Sequence, residues 1–177
     1  QVESFGEKGS DFENSGFDAA IDFQPFSPRL YSYLNEVWSE KMKQMNPVTK
    51  FFRRFQSKKA REIESREFWS MPDYAQYIDH LTTSPVASSY KVYPCITPMW
   101  DNTARRKKDF FLFKNANPDD YGRWLEYVKS NFKPYSKDEN FIFINAWNEW
   151  AEGNHLEPCT QWGRSYLDVT KKILSGK

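Results

Sequence analysis

Residues 140–147 read "NFIFINAW", a nearly continuous apolar run. A strand with one wet face alternates polar and apolar residues, and this one does not. The run therefore reads as a strand of a parallel sheet, buried on both faces. The stretches before it repeat the theme. "GFDAAIDFQP" (16–25) is a short apolar run closed by Pro25, a strand ending near Phe23. Residues 30–45 put Leu30, Tyr33, Leu34, Val37, Trp38 and Met42 on helical spacing. A short helix is expected over 72–82, with Pro72 in its first turn. "SYKVYPCITPMW" (89–100) is a strand-like run interrupted by Pro94 and ended by Pro98. Residues 117–132 carry strong helix signals: Asn117 as cap, Pro118 at the first position, Asp119 and Asp120 at the positive end. A last helix starts near Gly163, with Tyr166, Leu167, Thr170, Ile173 and Leu174 on its packed side.

Strands alternating with helices imply a parallel sheet, and polar residues collect just past the strand ends, in "FQP", "MWDNTARR" and "NEWAEG". Groups of that kind at strand carboxyl ends are where α/β folds keep their active sites. Three strand–helix units cannot close an eight-stranded barrel. The chain is either a small complete α/β layer or the later part of a larger fold. The preferred class is α/β of the (β/α)8 TIM-barrel type, with this chain as its C-terminal portion. The missing strands are expected before Gln1, in the same polypeptide or another chain. A start at Gln1 without methionine fits an excerpt of a longer protein.

The segment 47–70 breaks the repeat. It interleaves Lys50, Arg53, Arg54, Lys58, Lys59, Arg61 and Arg66 with Phe51, Phe52 and Phe55. Basic residues with aromatics can form an anion or nucleic-acid patch. Glu62, Glu64 and Glu67 favour a solvated helix with a few apolar anchors instead. Its position between regular units reads as an inserted excursion, a lid or partner-docking element near the barrel mouth.

Composition excludes several classes. Lys+Arg 25 against Asp+Glu 24 leaves a net charge of +1, so no global field points to nucleic acid or membrane. No apolar run approaches the roughly 20 residues of a membrane span. The expected location is the cytoplasm, free or at a membrane surface. Two cysteines, Cys95 and Cys159, make no disulfide framework, and two histidines far from them give a metal site little support. No cofactor is expected. The aromatic share, 18%, exceeds what a core of this size needs, and sugar-stacking surfaces are one use for the excess.

The last strand runs into "NEWAEGNHLEP", where Glu149 and Glu152 are flanked by Trp147 and Trp150 with Asn145, Asn148 and Asn154 close by. Carboxylates three apart meet on one face if the segment turns helically. Two carboxyls flanking one bond are the minimum apparatus for glycosidic chemistry, one protonating a leaving oxygen and the other activating a nucleophile. Aromatic faces hold the C–H side of a sugar, and amides read its hydroxyls. Taken alone the pair is a weak signal, since such pairs also stud ordinary solvated helices.

The blocks "GFDAAIDFQP", "PMWDNTARR", "FINAWNEWAEGNHLEP" and "GRSYLDV", in this order, resemble the WbsX-type glycosyltransferase family, itself grouped with the glycoside hydrolase family 99-like enzymes of endo-α-mannosidase type. The resemblance runs from about residue 16 to residue 170 and implies the C-terminal half of a (β/α)8 barrel acting on α-linked glycans in bacterial surface polysaccharide (O-antigen, lipopolysaccharide) assembly. By that resemblance the catalytic carboxylates are Glu149 and Glu152. The first engages a sugar 2-hydroxyl that attacks its own anomeric carbon, and the second serves as general acid and then base. Trp100, Asp101, Asn102 and Arg105 fall in the upstream substrate-binding segment. Asn145, Trp147, Asn148, Trp150 and His155 complete the expected binding set. The family usually has an acid after "LEP"; here it is Cys159.

Some of these residues have plainer uses. Asn145 can orient Glu149 or satisfy backbone, His155 can be a hydrogen-bond partner behind the site, and Glu157 can anchor the loop. Gly153 can supply the turn that aims Glu152. The expected partner is an oligo- or polysaccharide, free or lipid-linked. A glycosyltransferase, an endo-acting α-glycoside hydrolase and a non-catalytic glycan-binding domain are the three functions in play, and the intact pair disfavours the third.

Overall fold

The computed structural model describes residues 16–84, 88 and 90–176. Residues 1–15 and Ser89 lie outside them. Three short strands, β1 (Ala20–Asp22), β2 (Val92–Ile96) and β3 (Phe143–Ile144), form a parallel sheet in the order β1-β2-β3. Asp22 aligns with Pro94, and Cys95 with Phe143. Pro94 has no N–H to give, and pairing with β3 begins only at the residue after it.

The connections are helical. After β1 come α1 (Pro28–Gln44), α2 (Pro47–Arg53), α3 (Lys58–Ser70) and α4 (Tyr74–Thr83); α5 (Pro118–Asn131) joins β2 to β3, and α6 (Ser165–Ser175) closes the chain. The class is mixed α/β with a parallel sheet, as the alternation required. Pro28 and Pro118 sit in the first turns of α1 and α5, where a missing N–H costs nothing. The Asn117 side chain accepts from the Asp120 N–H at 2.9 Å. Pro72 instead lies before its helix: Asp73 caps α4, accepting from the Gln76 N–H.

Helices α1 and α4 pack antiparallel. The Arg29 guanidinium reaches the Leu81 and Ser84 carbonyls at one end, and Tyr33 meets Tyr77 further along. At Gly122 an added Cβ would come within 2.6 Å of Val169 Cγ1, so the glycine sets the close approach of α5 to α6. The core is strongly aromatic, with Tyr33, Tyr74, Tyr77, Trp100, Phe113 and Trp124 all buried. Much of the aromatic excess therefore goes into packing rather than onto a sugar-binding surface.

Two expectations need correction. The run at 140–147 is not a long strand closed on both faces: only Phe143 and Ile144 pair, and Phe141 and Phe143 are exposed. Among the described residues β3 has a strand on one side only, so its other hydrogen-bonding edge has no strand partner. Leu174, placed on the packed side of α6, is also exposed: the stripe that meets the core runs through Tyr166, Val169 and Ile173, and Leu174 lies beside it.

The excursion at 47–70 is two helices folded back on α1. Trp38 packs on Phe68 at 4.9 Å, and Glu64 binds both Lys41 and Arg53. The far end of α3 is tied to the β2–α5 connection, since the Ser70 and Pro72 carbonyls accept from the Leu112 and Lys114 N–H groups.

Candidate active site

The carboxyl ends of the three parallel strands are joined by one buried polar network. Past β1, Gln24 Oε1 accepts from the Tyr77 hydroxyl at 2.7 Å, and its Nε2 donates to Ser27. Past β2, the Thr97 carbonyl accepts from the Tyr74 hydroxyl, and the Thr97 hydroxyl reaches Asn154 Oδ1 at 3.0 Å. Past β3, Asn145 Nδ2 donates to the Gln24 carbonyl, while Asn154 Nδ2 donates to the Asn145 carbonyl. Burial pushes the Tyr74 and Tyr77 phenols well above their ordinary range, so both remain donors. Fully satisfied networks of this kind fix geometry. Here the network sets where the chain leaves β3.

Beyond that point the chain makes a small hairpin. Strand β4 (Asn148–Glu149) pairs antiparallel with β5 (Asn154–His155), and a 3-10 turn at Trp150–Glu152 connects them. Gly153 ends the turn with φ +56. A Cβ there would lie 2.4 Å from the Asp101 carbonyl oxygen. Glycine is required twice over, by conformation and by space, because the hairpin is clasped to the segment after β2: the Asp101 N–H donates to the Glu152 carbonyl at 2.8 Å.

The two carboxylates sit in contrasting surroundings. Glu149 is exposed at the end of β4. The Glu152 side chain is only 16% exposed. One of its oxygens, Oε1, is gripped by Arg105. The other, Oε2, is buried without a hydrogen-bond partner. Arg105 comes from the 102–111 loop, which Asn102 closes: its carbonyl accepts from the Arg105 and Arg106 N–H groups, and its side chain accepts from the Phe111 N–H at 2.8 Å. Asp101 accepts from Thr103 by both N–H and hydroxyl.

Trp147 and Trp150 present half their surface to solvent. Trp150 stacks on His155 at 4.0 Å and donates its indole N–H to Glu157 at 2.9 Å. The Trp147 carbonyl accepts from the Leu156 and Glu157 N–H groups. An open cleft of about 500 Å³ is lined by Trp150, Pro158, Cys159 and Thr160.

The expected residues thus divide. Glu152, Arg105 and Asp101 meet directly; Glu149, Asn148, Trp147 and Trp150 are exposed on the same hairpin. Trp100 is not an open wall. It is buried against Phe26, with its indole N–H unpartnered. Asn102, Asn145 and His155 are used in holding loops, although His155 also backs the Trp150 ring. Gln24, Thr97, Tyr74, Tyr77 and Asn154 were not on the expected list. The polar residues after the strands were its only hint, since the partners lie far apart in sequence.

The family model for Glycosyltransferase WbsX matches residues 1–170. The chain belongs to the WbsX glycosyltransferase family. Two curated relatives, each called Uncharacterized protein WxcX, come from Xanthomonas campestris pv. campestris strains B100 and ATCC 33913. Each is 39% identical over 87 residues, which is 49% of this chain but 12% of the relative. The alignment therefore spans a small part of those proteins. No solved structure matches the chain. In this WbsX chain Cys159 sits in a tight turn, its backbone bridged to Gly163 and its sulfur accepting from the Trp162 N–H. Among the described residues no helix is long and apolar enough to cross a membrane, and no cluster of His, Cys, Asp and Glu could hold a metal ion.

Proposed function

We propose that this chain carries the catalytic segment of a glycan-active enzyme that forms α-glycosidic bonds in bacterial surface polysaccharide. On this reading it is the C-terminal part of a single (β/α)8 barrel domain, and 47–70 is an insertion in it. The parallel order β1-β2-β3, the helical crossovers and the exposed Phe143 of the edge strand β3 support that architecture. The remaining strands would pair with β1 and β3, supplied by the same polypeptide or another.

The observation that carries the functional reading is the environment of Glu152. A carboxylate with one oxygen on arginine and the other buried without a partner is costly to keep unless something completes it. Trp100 Nε1, on the segment clasped to Glu152, is likewise a buried donor without a partner. A sugar hydroxyl donates and accepts at once and fits such a donor–acceptor pair.

The proposed chemistry divides the labour by environment, as paired carboxylates do when their surroundings differ. Glu149, open to solvent, takes the proton of the sugar 2-hydroxyl, whose oxygen bonds to its own anomeric carbon as the leaving oxygen departs with a proton from the enclosed Glu152. The acceptor oxygen then gives its proton to Glu152 and bonds to that carbon, and the displaced 2-oxygen takes its proton back from Glu149. Arg105, with a side chain 45% exposed, can bind both Glu152 and a substrate oxygen. Trp147 and Trp150 offer apolar faces to the sugar rings. The substrate is an oligo- or polysaccharide, free or lipid-linked.

The test is to incubate the full-length gene product with free and lipid-linked oligosaccharides and read the products by mass spectrometry. A product with one new or exchanged glycosidic bond is expected. Binding of glycans without any bond made or broken would leave only a lectin-like role.

A further inference from the structure

We infer that the α2–α3 unit is a docking surface for an anionic lipid bilayer. The inference is independent of the chemistry at Glu149 and Glu152. Phe51, Phe52 and Phe55 are 54%, 65% and 72% exposed, and Val48 beside them is 64% exposed. Phe51 touches both of the other rings, lying edge-on to Phe52 at 5.9 Å and to Phe55 at 5.1 Å. Helix α2 buries none of its side chains among the described residues. Four large apolar side chains gathered at one tip are not scattered surface residues but a patch, and such patches mark contact sites.

Charge selects the partner. Between positions 41 and 61 lie eight cationic residues and no carboxylate, in a chain whose net charge is only +1. Glu64 neutralises Lys41 and Arg53 from the α3 side, and an exposed Lys58 meets Glu62 weakly at 3.9 Å. Lys50, Arg54 and Lys59 remain around the phenylalanines with no carboxylate partner among the described residues. An apolar knob ringed by cations matches the boundary between lipid headgroups and acyl chains: the rings enter, and the cations stay at the phosphate level. Each cation near an anionic leaflet adds about 1 kcal/mol, on the order of fivefold in partition.

Other occupants fit less well. A second copy meeting the same face would set Lys50, Arg54 and Lys59 against their own counterparts. Nucleic acid asks for flat stacking platforms, whereas these rings pack edge to face. The unit is joined to α1 by Trp38 on Phe68 and by the Glu64 ion pairs. It is tied through Ser70 and Leu112 to the connection that carries Asp101 and Arg105. A bilayer docked on α2 would therefore keep a fixed relation to the candidate site, as a lipid-linked saccharide would need.

The test is vesicle flotation of the full-length gene product, with phosphatidylcholine alone or mixed with phosphatidylglycerol, at low and high salt. Binding at least about tenfold tighter to the phosphatidylglycerol vesicles, weakened by salt, is expected. The F51S/F52S/F55S variant should lose about tenfold or more of that binding while keeping its circular dichroism. The R54Q/K58Q/K59Q variant should lose the salt-dependent part. Four results would overturn the inference. These are no vesicle binding, binding indifferent to phosphatidylglycerol, lipid-free self-association abolished by the serine variant, or unfolding of that variant, which would place the rings in the core of the full chain.

Discussion

Arg105 binds Glu152 across two loops that meet nowhere near each other in sequence, and Asn102 and Gly153 hold the two ends of that contact. Because the Arg105 side chain is 45% exposed, the pair adds little to folding, within about 1 kcal/mol after solvent screening. Its effect should appear in turnover. Arg105→Gln is expected to melt within a few degrees of the parent and to lose about tenfold or more in kcat, with Arg105→Lys recovering part of it. Thermal melts and steady-state kinetics on the same preparations check this; equal losses of stability and activity would make Arg105 a structural residue.

Gly153 should be the least replaceable glycine of the hairpin. Its φ of +56 alone costs an alanine about 1–2 kcal/mol. The clash of the new Cβ with the Asp101 carbonyl adds to that, because backbone cannot swing aside as a side chain can. Gly153→Ala is expected to lower the melting temperature by several degrees and to uncouple Glu152 from Arg105. Gly163→Ala, with φ +54 but open space around it, should pay the conformational cost only. Differential scanning calorimetry of the two variants makes the comparison.

His80 gives the α1–α4 contact a pH dependence. Burial pushes its pKa below the ordinary value, outweighing the pull of Glu36 at 3.4 Å in the other direction. A folded histidine with a depressed pKa binds fewer protons than the unfolded one. Its contribution is therefore neutral above the unfolded pKa of about 6.5 and becomes destabilising as pH falls below that value. His80→Gln should flatten the stability loss between about pH 6.5 and 5. Urea midpoints across that range measure it; an unchanged slope would show that other groups set the acid limb.

How much of this was legible beforehand follows from the range of each interaction. The ends of α1 and α5 could be read because their signals are local: Pro28, Asn117 and Pro118 act within one turn. The alternation of strand and helix, and the gathering of polar residues after the strands, were visible for the same reason. The roles of those polar residues were not. Asn145 could be read either as a substrate amide or as a group that satisfies backbone, and the partner that decides for backbone, the Gln24 carbonyl, is 121 positions away. Trp100 stands next to an exposed aspartate, yet packing on Phe26 turns it into the core. Segment 47–70 read as solvated helix. It does form helices, but the Trp38–Phe68 and Glu64 contacts that dock α3 on α1 need tertiary proximity no local pattern reveals.

The central claim is that Glu149 and Glu152 act on charge that develops only as a glycosidic bond is made or broken. The most direct measurement is turnover of the full-length gene product and its Glu149→Gln and Glu152→Gln variants on the same saccharide. Exposed Glu126, on α5, serves as the reference for the same charge change. Glu157→Gln is not neutral enough, since Glu157 accepts the Trp150 indole N–H. General acid–base groups typically contribute about 10²–10⁴-fold. Each of the two variants should therefore lose at least about a hundredfold in kcat with saccharide binding nearly unchanged, and Glu126→Gln should match the parent. Turnover by Glu149→Gln and Glu152→Gln within about tenfold of Glu126→Gln would contradict the account and leave the pair a structural one.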